Sequence, residues 1–126
     1  MNNGIPADSW RVLKAMRPNV LLIEPDAGHC RRVVDAVLEG SRAPIWRCEG
    51  TPLALPADGV GTLLLHGVGT LTPDEQRRLL GWIERNRATQ VITVAECPLF
   101  PGVTAGTFLD GLYYRLNVLL VDRRGS

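Results

Sequence analysis

The chain is short of the features on which many small proteins rely. Its three cysteines, Cys30, Cys48 and Cys97, form neither a CxxC pair nor an even set. That argues against a disulfide framework and for a reducing, cytoplasmic setting. No apolar run approaches the ~18–20 residues that cross a bilayer, and residues 1–8 lack the basic-then-apolar pattern of a secretory signal. A dominant sign of charge is missing too: a formal net charge of +1 gives no global attraction to nucleic acid or anionic membrane. The arginine pairs at 31 and 32, 77 and 78, and 123 and 124 are too scattered to make a nucleic-acid-binding face. Internal repeats, low-complexity tracts and linkers are absent.

What is present is the composition of a folded domain, 45% hydrophobic and 21% charged over 126 residues, enough for one core. Ser9 is placed to cap a helix over 9–17, with Trp10, Leu13 and Met16 on its apolar face and Pro18 ending it. Residues 19–23 read as a strand buried on both faces. Val33, Val34, Val37 and Leu38 form the stripe of a helix over 29–39 closed by Gly40. Residues 44–48 and 62–65 read as further strands, joined by a Pro- and Gly-rich loop. Thr72, Pro73, Asp74 and Glu75 carry the N-cap, first-turn proline and acids of a helix start, followed by apolar Leu79, Leu80, Trp82 and Ile83. Residues 91–95 and 118–121 read as strands around a short helix over 107–116.

Strands alternating with helices predict a three-layer α/β domain over 9–122, with about five parallel strands and flexible ends at 1–8 and 123–126. Ligands of such sheets bind at the carboxyl ends of the strands, here at 24–31, 49–50, 66–69 and 96–97.

The run Leu112-Tyr113-Tyr114-Arg115-Leu116-Asn117-Val118 resembles a signature of the sigma-54-interacting AAA+ domain, the ATPase core of bacterial enhancer-binding activators. Residues 61–68 (Gly-Thr-Leu-Leu-Leu-His-Gly-Val) resemble its Walker B strand, and residues 90–96 (Gln-Val-Ile-Thr-Val-Ala-Glu) its sensor-I strand, with Glu96 at the usual polar end position. Val20, Leu21, Leu22 and Ile23 match the strand before the P-loop. The resemblance covers residues 9–121. It implies a P-loop/AAA+-like core without the family's helical lid after Val121. The sigma-54-contacting loop, which the family carries between the positions of Cys48 and Gly61, is missing.

The resemblance also implies ATP and Mg as cofactors and a role in transcription regulation, but the matched positions have lost their chemistry. A P-loop, GxxxxGK[ST], wraps phosphates with backbone amides and a lysine. Here Glu24 and His29 replace its two glycines and Cys30 its lysine. Gly28 and Arg31 remain as partial aids, while Glu24 and Asp26 place negative charge where a triphosphate would lie. His66 and Gly67 stand for the Mg-holding Asp and the water-orienting Glu. Of two family arginines, one is Leu109 and only Arg115 survives. The expectation is a protein that is no enzyme and holds no cofactor, a pseudo-ATPase regulatory module. Its expected partner is a protein: itself, a sensor domain or a genuine AAA+ subunit.

Three alternatives stay open. The opening strand followed by Glu24 and Asp26 also resembles a two-component receiver, although neither the phosphoacceptor Asp nor the later Lys is present. His29, Cys30, His66 and Cys97 form a candidate metal- or ligand-binding set, and Cys30 near a helix start is a candidate low-pKa thiol. Arg115 is either an interface residue or a structural one paired with Asp110 or Asp122.

Overall fold

Five short strands form one sheet: β1 (Val20–Ile23), β2 (Ile45–Glu49), β3 (Thr62–His66), β4 (Gln90–Ala95) and β5 (Leu119–Asp122). A computed structural model describes residues 4–124. All strand pairs are parallel, in the order β2-β3-β4-β1-β5. The helices are α1 (Ala7–Met16), α2 (Ala27–Leu38), α3 (Pro73–Arg85), α4 (Phe100–Ala105) and α5 (Asp110–Leu116). None is long and apolar enough to cross a membrane.

The layering follows from crossover handedness. The β1–β2 connection runs across the sheet in the opposite direction to the other three, and right-handed crossovers therefore put α2 on one face and α3 and α5 on the other. Val33, Val34 and Val37 of α2 pack with Val20, Leu22, Leu64, Ile92 and Val94. The alternate strand residues Leu21, Ile23, Leu63, Leu65 and Val91 pack with Leu79, Trp82, Leu112 and Leu116. Every residue of β1 is buried because both of its faces are covered. The order also decides against the receiver reading. A flavodoxin-like sheet runs 2-1-3-4-5, whereas here β1 lies between β4 and β5 and β2 is an edge.

Several element ends differ from expectation. α1 begins two residues before Ser9, and its N-cap Pro6 makes no side-chain capping bond. Ile5 is 1% exposed, so residues 5–8 belong to the packed domain: burying a large aliphatic outweighs the missing cap. Met16 is 76% exposed, because α1 turns only Leu13 and part of Trp10 inward. Lys14, the sole lysine, donates to the carbonyls of Ala36, Val37 and Glu39, tying α1 to the end of α2. Arg123 and Arg124, placed in a flexible end, are held by Glu24 and Asp122. The rest of the two ends, residues 1–3 and 125–126, lies outside the described residues. α4 has no counterpart among the expected elements; Pro101 stands in its first turn, where a proline is well tolerated.

Candidate functional site

A cleft of about 760 Å³ opens at the carboxyl ends of the strands, the place that sheet topology predicts. Glu24, Cys30, Arg31, His66, Glu96 and Cys97 line it, as does Gly67. Gly28 and His29 do not; both are exposed in the first turn of α2.

β1 ends at Ile23 and α2 begins at Ala27, leaving only Glu24, Pro25 and Asp26 between them. Asp26 is the N-cap. Its Oδ1 accepts the amides of Gly28 at 2.8 Å and His29 at 3.2 Å. These two bonds, His29 first, hold the Asp26 carboxyl below its ordinary pKa. Glu24 Oε2 accepts the Asp26 amide at 3.2 Å, while its Oε1 receives Arg123 Nε at 2.6 Å. A P-loop leaves its amides open for phosphate. Here a carboxylate of the chain itself takes two of them.

His66 closes β3, opposite Glu49 on β2 and Val94 on β4. Gly67 has φ 66°, and a Cβ there would sit 3.3 Å from Gly50 Cα. The glycine lets the turns after β2 and β3 meet backbone to backbone. Arg31, Arg47, Glu49 and Glu96 line the cleft without an ion pair among the described residues. The cleft therefore carries charges of both signs on a largely apolar wall that includes Val34, Val68, Val94 and Leu99.

The thiol and metal readings change. Burial raises the Cys30 pKa, and Glu24 and Glu96 add to the effect. This is the reverse of an activated thiol, because burial and two nearby carboxylates both disfavour the thiolate. Among the described residues no three His, Cys, Asp or Glu side chains gather closely enough to hold a metal ion. Cys30, His66 and Cys97 share the cleft, but exposed His29 does not line it.

Residues 50–61, between β2 and β3, form a closed strap over α3. Glu75 is the N3 residue of a capping box with Thr72, and it also accepts the Thr51 hydroxyl and, at 2.7 Å, the Leu53 amide. Backbone amides of Thr72 and Leu53 and the Thr51 hydroxyl hold its pKa down to about 2. Trp82 Nε1 donates to Pro56 O at 2.9 Å. The strap is pinned at both its start and its middle.

Arg115 pairs with Glu84 of α3 at 3.3 Å, rather than with Asp110 or Asp122. Asp110 accepts the Gly111 amide at the start of α5, and Asp122 holds Arg124 at 2.6 Å. Tyr113 is buried and Tyr114 is 63% exposed. Sequence reasoning missed the capping role of Asp26, although an Asp directly before a helical stripe is an N-cap signal. It also missed the Glu24 partner Arg123, for which no local signal exists at that separation.

No protein-family model matches the chain. It is 37% identical over 78 residues to the transcriptional regulatory protein ZraR of Klebsiella oxytoca, covering 52% of this chain and 17% of that protein. The chain thus spans well under a fifth of the curated relative it matches. Among solved structures it is similar to NtrX from Brucella abortus in complex with ATP (TM-score 0.72, 14% identity, 94% of this chain and 36% of that chain). It is also similar to the P-loop NTPase domain of the sigma-54 transport activator from E. coli (TM-score 0.54, 16% identity, 89% of each chain). At these identities the structural likeness speaks for the fold, which is that of P-loop NTPase domains.

Proposed function

We propose a regulatory role without ATP hydrolysis for this chain, which is a relative of the sigma-54-interacting AAA+ domain of transcription activators. One observation carries the reading. Asp26 accepts the Gly28 and His29 amides, the donors at the start of α2 where a triphosphate would sit. An incoming phosphate would have to displace a carboxylate and settle beside Glu24 and Asp26, both acidic. His66 and Gly67 supply neither a Mg-binding carboxylate nor a water-orienting Glu at the end of β3. The strap over 50–61, fastened by Glu75 and Trp82, occupies the place from which relatives extend a sigma-54-contacting loop. The module acts by binding a protein: itself, a sensor domain or an AAA+ subunit whose ring it would poison.

Titration with a fluorescent ATP analogue and Mg, together with a phosphate-release assay, tests the proposal. The expected result is no release above background and no saturable micromolar binding at the strand-end cleft, read as binding that Arg31→Gln weakens; either signal overturns it. A second reading, a small ligand of mixed charge in the cleft, is favoured by the unpaired Arg31, Arg47, Glu49 and Glu96 on its walls.

A further inference from the structure

At the end of the sheet opposite the cleft, three connections each deliver one arginine to a pocket of about 410 Å³. Arg17 follows α1, Arg42 lies between α2 and β2, and Arg87 lies between α3 and β4. Ala15, Met16, Gly61, Ala88 and Gln90 complete the wall, and no acidic side chain lines it. None of the three guanidinium groups forms an ion pair or hydrogen bond among the described residues. All three are exposed, and no carboxylate of the pocket answers them.

Cations near this end of an α/β sheet ordinarily answer the carboxyl termini of its helices. Arg17 is the C-cap of α1, but the ends of α2 and α3 already have a cation of their own. Lys14 donates to three carbonyls at the end of α2, and Arg85 stands in the last turn of α3. The backbone is also committed to the arrangement. Arg17 is the only non-glycine residue of positive φ among the described residues, at 50°, a conformation that costs a residue with a side chain. Gly61 lets the Arg42 segment lie against the start of β3: a Cβ there would fall 2.2 Å from Arg42 O.

We propose that this pocket binds a compact phosphate polyanion, inorganic pyrophosphate or the terminal phosphates of a nucleotide. Guanidinium forks suit such an ion because each offers paired N–H donors to phosphate oxygens and stays charged at every working pH. The site is independent of the strand-end cleft and of whether that cleft binds nucleotide.

Calorimetric titration of the whole chain with pyrophosphate, without Mg and at matched ionic strength, tests it, with ATP as a parallel arm. Saturable pyrophosphate binding is expected, weakened on the order of tenfold by each of Arg17→Gln, Arg42→Gln and Arg87→Gln. Arg31→Gln, in the cleft, should leave it unchanged. Ala88→Glu, at an exposed lining position, should abolish it with every arginine in place, which covers the case of a Gln variant that fails to fold. Binding of ATP as tight as pyrophosphate identifies a nucleotide-borne anion, and binding of pyrophosphate alone a free one. Absence of saturable heat at millimolar pyrophosphate overturns the proposal. So does binding that survives the Arg17→Gln/Arg42→Gln pair, or binding lost in Arg31→Gln instead.

Discussion

Glu24 and Arg123, ninety-nine positions apart, meet at 2.6 Å and join the end of β1 to the residue after β5. Their side chains are 4% and 13% exposed, so the pair is largely out of water. A buried pair of this kind is costly to break one-sidedly, because the remaining charge loses the carboxylate that offsets its desolvation. Glu24→Ala should therefore destabilise the fold by about 3 kcal/mol, read as a lower urea midpoint at an unchanged slope. A loss no larger than that of an exposed pair would show that the contact carries no weight.

Glu75 makes stability sensitive to acid. Its folded pKa, about 2, lies below the ordinary 4.5, so the folded state favours the carboxylate. Its contribution is complete above about pH 4.5 and is lost as pH falls from there through about 2. Urea midpoints measured across that window should decline more steeply for the native chain than for Glu75→Gln. Asp26 and Asp122, whose pKa values are also depressed, leave a residual slope in the variant.

Thr93 lies at the middle of β4, wholly buried, and its hydroxyl oxygen has no hydrogen-bond partner among the described residues. Thr93→Val replaces that hydroxyl with a methyl of similar shape. It should raise stability by about 1 kcal/mol, visible as a higher melting temperature. A fall would mean that the hydroxyl is satisfied in solution.

Asp26→Gly removes the internal acceptor from the Gly28 and His29 amides. The variant should melt at a lower temperature and bind a fluorescent ATP analogue more tightly than the native chain, still without phosphate release. Unchanged affinity would show that the cap is not what excludes phosphate.

Within the 112–118 run, packing and surface roles separate cleanly. Leu112 and Leu116 are 0% exposed, and truncating either to Ala should cost about 2–5 kcal/mol. Arg115→Ala loses only a half-exposed pair with Glu84 and should cost less than about 1 kcal/mol. If Arg115→Ala instead changes the solution mass of the protein, the arginine serves an interface.

The strands and the α3 start were readable from the sequence because their signals are local: short apolar runs for most strands, and Thr72 as N-cap before Pro73, which the structure extends to a reciprocal capping box with Glu75. The cleft was readable too, since parallel topology fixes where strand ends gather. His29 was misplaced because a shift of the α2 start from 29 to 27 turns it away from the cleft. Arg115 found Glu84 because α5 packs on α3, a neighbour that residue spacing does not name.

By itself, the sequence determined the fold class and the kinship to sigma-54 activators, since each depends on residue type at short spacing. Tertiary structure decided the rest. It set β1 between β4 and β5, excluding a receiver sheet, gave the α2 amides to Asp26, and brought Glu24 to Arg123 and three arginines to one pocket. Those outcomes depend on which chain segments, distant in sequence, the right-handed crossovers bring side by side.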